Sequence, residues 1–500
     1  MEKKNISLLD GLWLRLSGFF AENKVPFLAS LITGIISHGY AFSNKLVNHD
    51  EIESLFGKGA TITSGRWGLE LVKALFPDWS MPWIYGLVSV LLISLAVCLA
   101  VKVLNIRSKP LQVLLAALVL SFPSLSGNFC FMFTSAPYAL SFLLAVLAVY
   151  EFCMGGKLRA VLSLLCLIFA LSMYQAYISV AASIFVVLMI ARALDGVSIK
   201  DNVIFGLKAL LMMAVSIAVY YAACLLVFKI TGAEFNSYVT DNVTGDMGML
   251  RKIRMAYDNF FYVFSFRNFY IISSELSRYI HIALALVAIV GLAAARKPVN
   301  VCMAAFLTAL LPLSICCMFL IMSTESIHTL VMYSFVAVYM LLCIVLERLD
   351  FKFSAVVKDV TALLLMAVIV SNVYFANMVY LKLDLQYENA YSFYTGLMTQ
   401  VKQTEGFDEN SKLAIIGRQD NLLHSFPELD TELMLGPARD LVNIYSRENF
   451  IKYYLGFDIP FASEDDVAAL AADARVETMA EYPYYGSVDK IDDFIVVKLG

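Results

Sequence analysis

Two groups of residues in the chain have the types and the setting for group-transfer chemistry. The first is Asn48-His49-Asp50-Glu51 with Glu53, directly after the first long apolar run. A carboxylate in a partly dry cleft can take the proton of an attacking hydroxyl, and Asp50 is the first candidate for that base, with Glu51 the second. An acidic cluster after an apolar run also has a plain reading as a solvated loop. His49 beside two carboxylates lacks the ligand number and spacing of a metal site, and a loop histidine is the simpler reading.

The second group is cationic. Ser64-Gly65-Arg66-Trp67-Gly68 puts a planar, permanently charged guanidinium between glycines that let backbone approach a ligand. Leu69, Leu71, Val72, Leu75 and Phe76 follow at roughly helical spacing, which predicts a helix lying on the membrane surface. Arg251, Lys252 and Arg254 fall in a second such stretch, Met247 to Phe266, and together with Arg66 they suit a phosphate. Anionic lipid headgroups would attract the same residues.

Tyr174 and Gln175, in a tight turn between two apolar runs, are candidates for sugar hydroxyls, and the tyrosine equally suits an interfacial aromatic belt. His49, Glu325 and His328 are candidates to line the same cleft on the sugar or acceptor side.

The elements that must position these residues are membrane helices. Of the 500 residues 60% are hydrophobic and 16% charged, far from the soluble average. The apolar residues come in blocks long enough to cross a bilayer. Eleven spans are expected, at about 25–44, 83–103, 110–126, 131–152, 158–174, 176–194, 204–230, 279–295, 300–322, 327–347 and 358–381.

Lys102, Arg107, Lys109, Lys157, Arg159, Arg192, Lys200, Arg348 and Lys352 mark one side of these spans as cytoplasmic. The short connections on the other side hold no lysine or arginine, so the loops 45–82 and 232–278 are expected outside. The polar, amphipathic start, residues 1–24, has no convincing cleavage site and is expected to stay, in the cytoplasm.

Residues 383–500 carry 9 basic and 21 acidic residues, net −12, against +8 for the rest. This predicts a separate, extracytoplasmic α/β domain after a membrane domain of residues 25–382. Asp384 to Thr404 reads as helix, while Lys412 to Gly417 and Phe494 to Leu499 read as buried strands. The fold class is therefore mainly α, a polytopic helical membrane protein with a small α/β domain at its C-terminus.

Other classes lose ground. The chain has no Walker loop, dinucleotide fingerprint, nucleophile elbow or HExxH, so neither nucleotide, zinc nor nucleic acid is expected as cofactor or partner. The nine cysteines lie in or beside apolar blocks and read as small core residues. A flippase or transporter of lipid-linked oligosaccharide is the main rival, weakened by the lack of duplicated, broken spans. A partner-binding assembly protein is a third reading.

The acidic pair after the first span, the later Gly65-Arg66-Trp67, the Tyr174-Gln175-Ala176 turn and the many spans resemble the GtrII-type glucosyltransferases of bacterial O-antigen modification, over approximately residues 20–380. The resemblance implies a GT-C-like enzyme of the bacterial cell membrane, acting on its outer side without a cofactor. Its partners would be a polyprenyl-phosphate sugar donor, undecaprenyl-phosphate glucose or a related sugar, and a surface or lipid-linked glycan acceptor. Asp50 and Glu51 would match the family's first-loop acids, with Asp-Glu here where Asp-Asp is common in the wider class. Direct attack of an acceptor hydroxyl on the anomeric carbon needs no metal in principle.

Overall fold

The computed structural model describes residues 7–237, 239–240, 247–265, 274–293, 298–321, 328–408, 410–418 and 441–500. Its helices are α1 (Leu8–Glu22), α2 (Lys24–Ser43), α3 (His49–Glu53), α4 (Gly68–Leu71), α5 (Pro82–Val103), α6 (Lys109–Ser121), α7 (Pro123–Cys130) and α8 (Met132–Met154). There follow α9 (Lys157–Met173), α10 (Ile178–Leu194), α11 (Ile199–Thr231), α12 (Met249–Ser265), α13 (Ser274–Ala293), α14 (Pro298–Ile315), α15 (Ala337–Arg348) and α16 (Ser354–Gln403).

Among the described residues, eight helices are long and apolar enough to cross a membrane: α2, α5, α6 run together with α7, α8, α10, α11, α13 and α16. The three other expected spans coincide with the shorter α9, α14 and α15. Pro312 sits inside α14, which ends at Ile315 rather than continuing to 322. The run expected at 327–347 is helical only over the 12 residues of α15, because two 3₁₀ turns, Thr329–Val331 and Tyr333–Val336, come first. At 1.5 Å per residue, α15 covers about 18 Å, well short of a bilayer core.

The bundle is centred on α6 and α7, whose span is 94% buried, and α11 stands at its edge, 17% buried. Small residues bring the helices close. A Cβ on Gly34 of α2 would lie 2.7 Å from Val90 of α5, and one on Gly86 would lie 2.1 Å from Phe42. Hydroxyls that would be costly in hydrocarbon bond back to their own helix, as Ser89 does to the Tyr85 carbonyl and Ser94 to that of Val90, both at 2.6 Å. Buried His38 clasps three helices, with Nδ1 2.7 Å from the Tyr380 hydroxyl of α16 and Nε2 2.7 Å from the Leu120 carbonyl of α6.

Helix α16 runs on for 50 residues. Over its residues 383–403, Leu383, Gln386, Ala390, Tyr394, Leu397, Met398 and Val401 are buried, a stripe at mostly three- and four-residue spacing. That stripe is where the C-terminal part packs. It holds a three-stranded sheet of β1 (Lys412–Ile416), β2 (Val488–Ile491) and β3 (Phe494–Lys498), in the order β1-β3-β2.

β1 pairs in parallel with β3, Lys412 opposite Phe494 and Ile416 opposite Lys498, and β2 pairs antiparallel with β3. The central β3 is buried at Ile495, Val496 and Val497, as its unbroken apolar run requires. The expected strands at both ends of this region are present, and β2, which the sequence reading lacks, completes the sheet.

Candidate functional site

Asn48 builds the first part of the site. Its side-chain oxygen caps α3 by accepting the Glu51 amide at 2.8 Å, while its Nδ2 donates to the Cys130 carbonyl at 2.7 Å, pinning α3 to the end of α7. One turn of helix then sends adjacent acids to opposite sides. Glu51 is 0% exposed and accepts from the Lys45 ammonium, the Ser80 hydroxyl and the Phe133 amide, the last at 3.1 Å. Glu51 is thus an anchor of the loop, which sets it apart from the second-candidate base of the sequence reading.

Asp50 points the other way. Its side chain is 45% exposed, and Oδ1 lies 3.8 Å from His49 Nε2. Oδ1 also accepts a hydrogen bond from the Tyr445 hydroxyl at 2.6 Å. Burial holds the His49 imidazole below its usual pKa, with Asp50 opposing that shift. His328 lies within electrostatic reach of both Asp50 and His49, packs its ring edge-on to Phe131 at 5.7 Å, and accepts the Leu330 amide. Glu325 lies outside the described residues.

The second part is built where the Ser64–Gly68 loop meets the turn after α9. The Arg66 guanidinium lies over the Tyr174 ring at 5.1 Å, and Tyr174 stacks on Tyr138 at 4.3 Å. Gln175 Nε2 donates to the Ser64 carbonyl and the Tyr220 hydroxyl, both at 2.8 Å, and Tyr220 donates to the Gly65 carbonyl at 3.0 Å. Gln175 therefore braces the loop, and Tyr174 supports Arg66.

The glycines also serve packing within the chain. A Cβ on Gly65, whose φ is +70°, would lie 2.7 Å from the Tyr220 hydroxyl, and one on Gly68 would lie 2.1 Å from Ser172 Oγ. The backbone approach expected toward a ligand is made here toward α11 and α9. The surface helix expected over residues 69–76 is shorter, α4 alone; turns follow it up to Pro77, and there Lys73 pairs with both Glu70 and Asp78, at 2.6 and 3.0 Å.

Tyr138 joins the two parts: its phenol is within electrostatic reach of both Arg66 and Asp50. An open carboxylate and a guanidinium held by its neighbours are thus both within electrostatic reach of one buried tyrosine. The Arg251 cluster is placed differently. α12 packs chiefly against Cys317–Leu320, α14 and α13. Lys252 donates to the Ile321 carbonyl at 3.0 Å, Arg254 faces Asp258 at 3.4 Å, and Arg251 is exposed. Among the described residues, no three of His, Cys, Asp and Glu come together as a metal ligand set.

A family model described as Glucosyl transferase GtrII matches residues 39–341. The chain belongs to the GtrII glucosyltransferase family. With its long apolar helices, this GtrII member is a membrane glycosyltransferase. No curated protein and no solved structure matches the chain.

The GtrII match contains Asp50, Arg66, Tyr138, Tyr174 and His328, and it ends before α16. Tyr445, which the structure adds to Asp50, lies beyond it. Nothing in the local sequence around Tyr445 marks it for the site, since only the folding of α16 and the sheet carries it to α3. Tyr138, also missed, had one weak signal: a tyrosine near the start of an apolar run facing the other aromatic residues of the same loops.

Proposed function

We propose that this enzyme transfers a hexose, glucose by its family, from a polyprenyl-phosphate donor to a hydroxyl of a surface glycan such as O-antigen, on the extracytoplasmic side of the bacterial cell membrane. The observation that carries this reading is that the exposed Asp50 carboxylate and the Arg66 guanidinium, the latter seated on Tyr174, both lie within electrostatic reach of the buried Tyr138.

In the proposed step the acceptor oxygen attacks the anomeric carbon. Asp50 receives the hydroxyl proton as the new C–O bond forms. The bond from the anomeric carbon to the phosphate oxygen breaks, and its electron pair leaves with the polyprenyl phosphate. Arg66 stabilises that growing negative charge, and its seat on Tyr174 means little reorganisation is needed as the charge develops. Arg251, Lys252 and Arg254 draw anionic lipid toward the site from α12. His49 and His328, near Asp50, contact sugar hydroxyls in this reading.

A shallow hollow of about 530 Å³ opens at the end of α11, lined by Tyr221, Leu225, Phe228, Lys229, Glu234 and Phe235, and a Cβ on Gly65 would lie 3.3 Å from Phe235.

The test is a donor assay with purified protein in lipid nanodiscs. Radiolabelled polyprenyl-phosphate glucose and an acceptor glycan are expected to give labelled glycan and free polyprenyl phosphate in equal amounts. Movement of intact donor across vesicles with no bond cleavage would overturn the reading.

A further inference from the structure

The C-terminal part meets α3 and the turn that follows it along three rungs. Tyr445 bonds to Asp50, Asn449 Nδ2 donates to Glu53 Oε2 at 2.7 Å, and the Tyr453 ring packs edge-on to Phe56 at 5.2 Å. Tyr445 lies in the turn before the helical residues Arg447–Asn449, and Tyr453 in the π-turn Phe450–Tyr454, so contacts four residues apart on this side meet contacts three apart on the other. The Tyr445 ring also stands edge-on to His49 at 5.7 Å.

The same segment is fastened from behind. Phe450 is fully buried, with ring centroids 6.3 Å from Tyr387 and 5.5 Å from Tyr394 on α16. α16 is in turn tied to α2 by the Tyr40 hydroxyl on Asp384 at 2.6 Å and by the His38–Tyr380 contact. The helix that leads into α3 and the helix that backs the Tyr445 segment are therefore tied together.

We propose that Tyr445 is a positioning residue for the transfer reaction: by donating to Oδ1 it fixes the plane of the Asp50 carboxylate and leaves Oδ2 to receive the acceptor proton. The inference rests on Asp50 being the base. A carboxylate that turns freely about its last bond offers the acceptor a changing target, and a short O–H···O⁻ bond holds it in one orientation. Among the described residues Oδ2 accepts no hydrogen bond.

Tyr445 remains the donor throughout. Burial first, and then the bond to Asp50, push its phenol above the usual tyrosine range, so it keeps its proton at physiological pH. In the step itself the acceptor hydroxyl proton passes to Oδ2, the anomeric C–O bond to the acceptor forms, and the bond to phosphate breaks, while Tyr445 neither gains nor loses a proton.

The experiment compares wild type, Tyr445→Phe, Tyr453→Phe and Asp50→Asn in full-length protein, with kcat and KM measured for polyprenyl-phosphate glucose and for the acceptor glycan. Tyr445→Phe keeps the ring against His49 and removes only the hydroxyl. It is expected to lower kcat about tenfold with both KM values within about twofold, while Tyr453→Phe, which keeps its ring on Phe56, stays near wild type. A Tyr445→Phe kcat within twofold of wild type, or a rise in KM alone, would overturn the positioning role with Asp50→Asn still inactive and the base reading intact. Normal turnover in Asp50→Asn would overturn both.

Discussion

The Tyr445 hydroxyl donates to Asp50 Oδ1 at 2.6 Å across 395 residues of chain. The acid that follows the first apolar helix therefore does not sit in an isolated loop. It is held between the membrane bundle and the sheet-bearing C-terminal part, beside His49 and within electrostatic reach of His328.

Glu51 and Asp50 are neighbours with different fates, and stability separates them. Glu51→Ala leaves the Phe133 amide, the Ser80 hydroxyl and the Lys45 ammonium without their shared acceptor. Breaking such a buried set costs about 3 kcal/mol or more. Thermal unfolding in detergent is expected to show a clearly lower midpoint for Glu51→Ala and an unchanged one for Asp50→Asn, whose side chain is half exposed.

Gly68→Ala tests the packing of the Arg66 loop. The new methyl would lie 2.1 Å from Ser172 Oγ and 2.9 Å from the Ser172 backbone carbon, so the loop or α9 must shift, at about 1–3 kcal/mol. A lowered melting temperature and a raised KM for donor are expected. Gly18→Ala in α1, with nothing within 4 Å of the added carbon, is the control and should neither lower the melting temperature nor raise KM.

Gln175→Leu removes both hydrogen bonds that the side chain gives, to the Ser64 carbonyl and to Tyr220. An unsatisfied buried carbonyl costs about 1–3 kcal/mol. Because the brace is on the Arg66 side of the site, KM for the donor should rise several-fold while KM for the acceptor stays constant in steady-state assays.

The pH dependence of stability carries the mark of His49. Its folded pKa is lowered, chiefly by burial, so the unfolded chain binds a proton more readily. The contribution is fully present above the ordinary imidazole value near 6.5 and is lost as pH falls through that value toward the lowered folded one. Melting temperatures between pH 7.5 and 5 should fall for wild type and fall less steeply for His49→Gln.

The helical, membrane-spanning character and the family were legible in the sequence because long apolar runs and the Asp50, Arg66 and Tyr174 motifs are local signals. Strands β1 and β3 were legible for the same reason, each an unbroken apolar run, whereas β2 reads Val-Asp-Lys-Ile and its half-exposed face gives no clear period. The length of α15 was hidden because hydropathy does not distinguish the 3₁₀ turns at 329–336 from α-helix.

In these loops the direction of each side chain was not legible in the sequence. Asp50 and Glu51 look alike in sequence, and only the Asn48 cap and the packing of α3 decide which one faces outward. The glycines beside Arg66 were expected to admit a ligand, yet they admit Tyr220 and Ser172. Tyr445 depends on long-range folding and had no local sign.

The central claim is that Asp50, and not Glu51, accepts the proton of the incoming hydroxyl. The most direct measurement is single-turnover transfer from polyprenyl-phosphate glucose by folded Asp50→Asn protein, matched to wild type by melting temperature and saturated with donor and acceptor. The expected result is a fall in the rate of the chemical step by about 10²–10⁴-fold with donor still bound; a rate near that of wild type would contradict it.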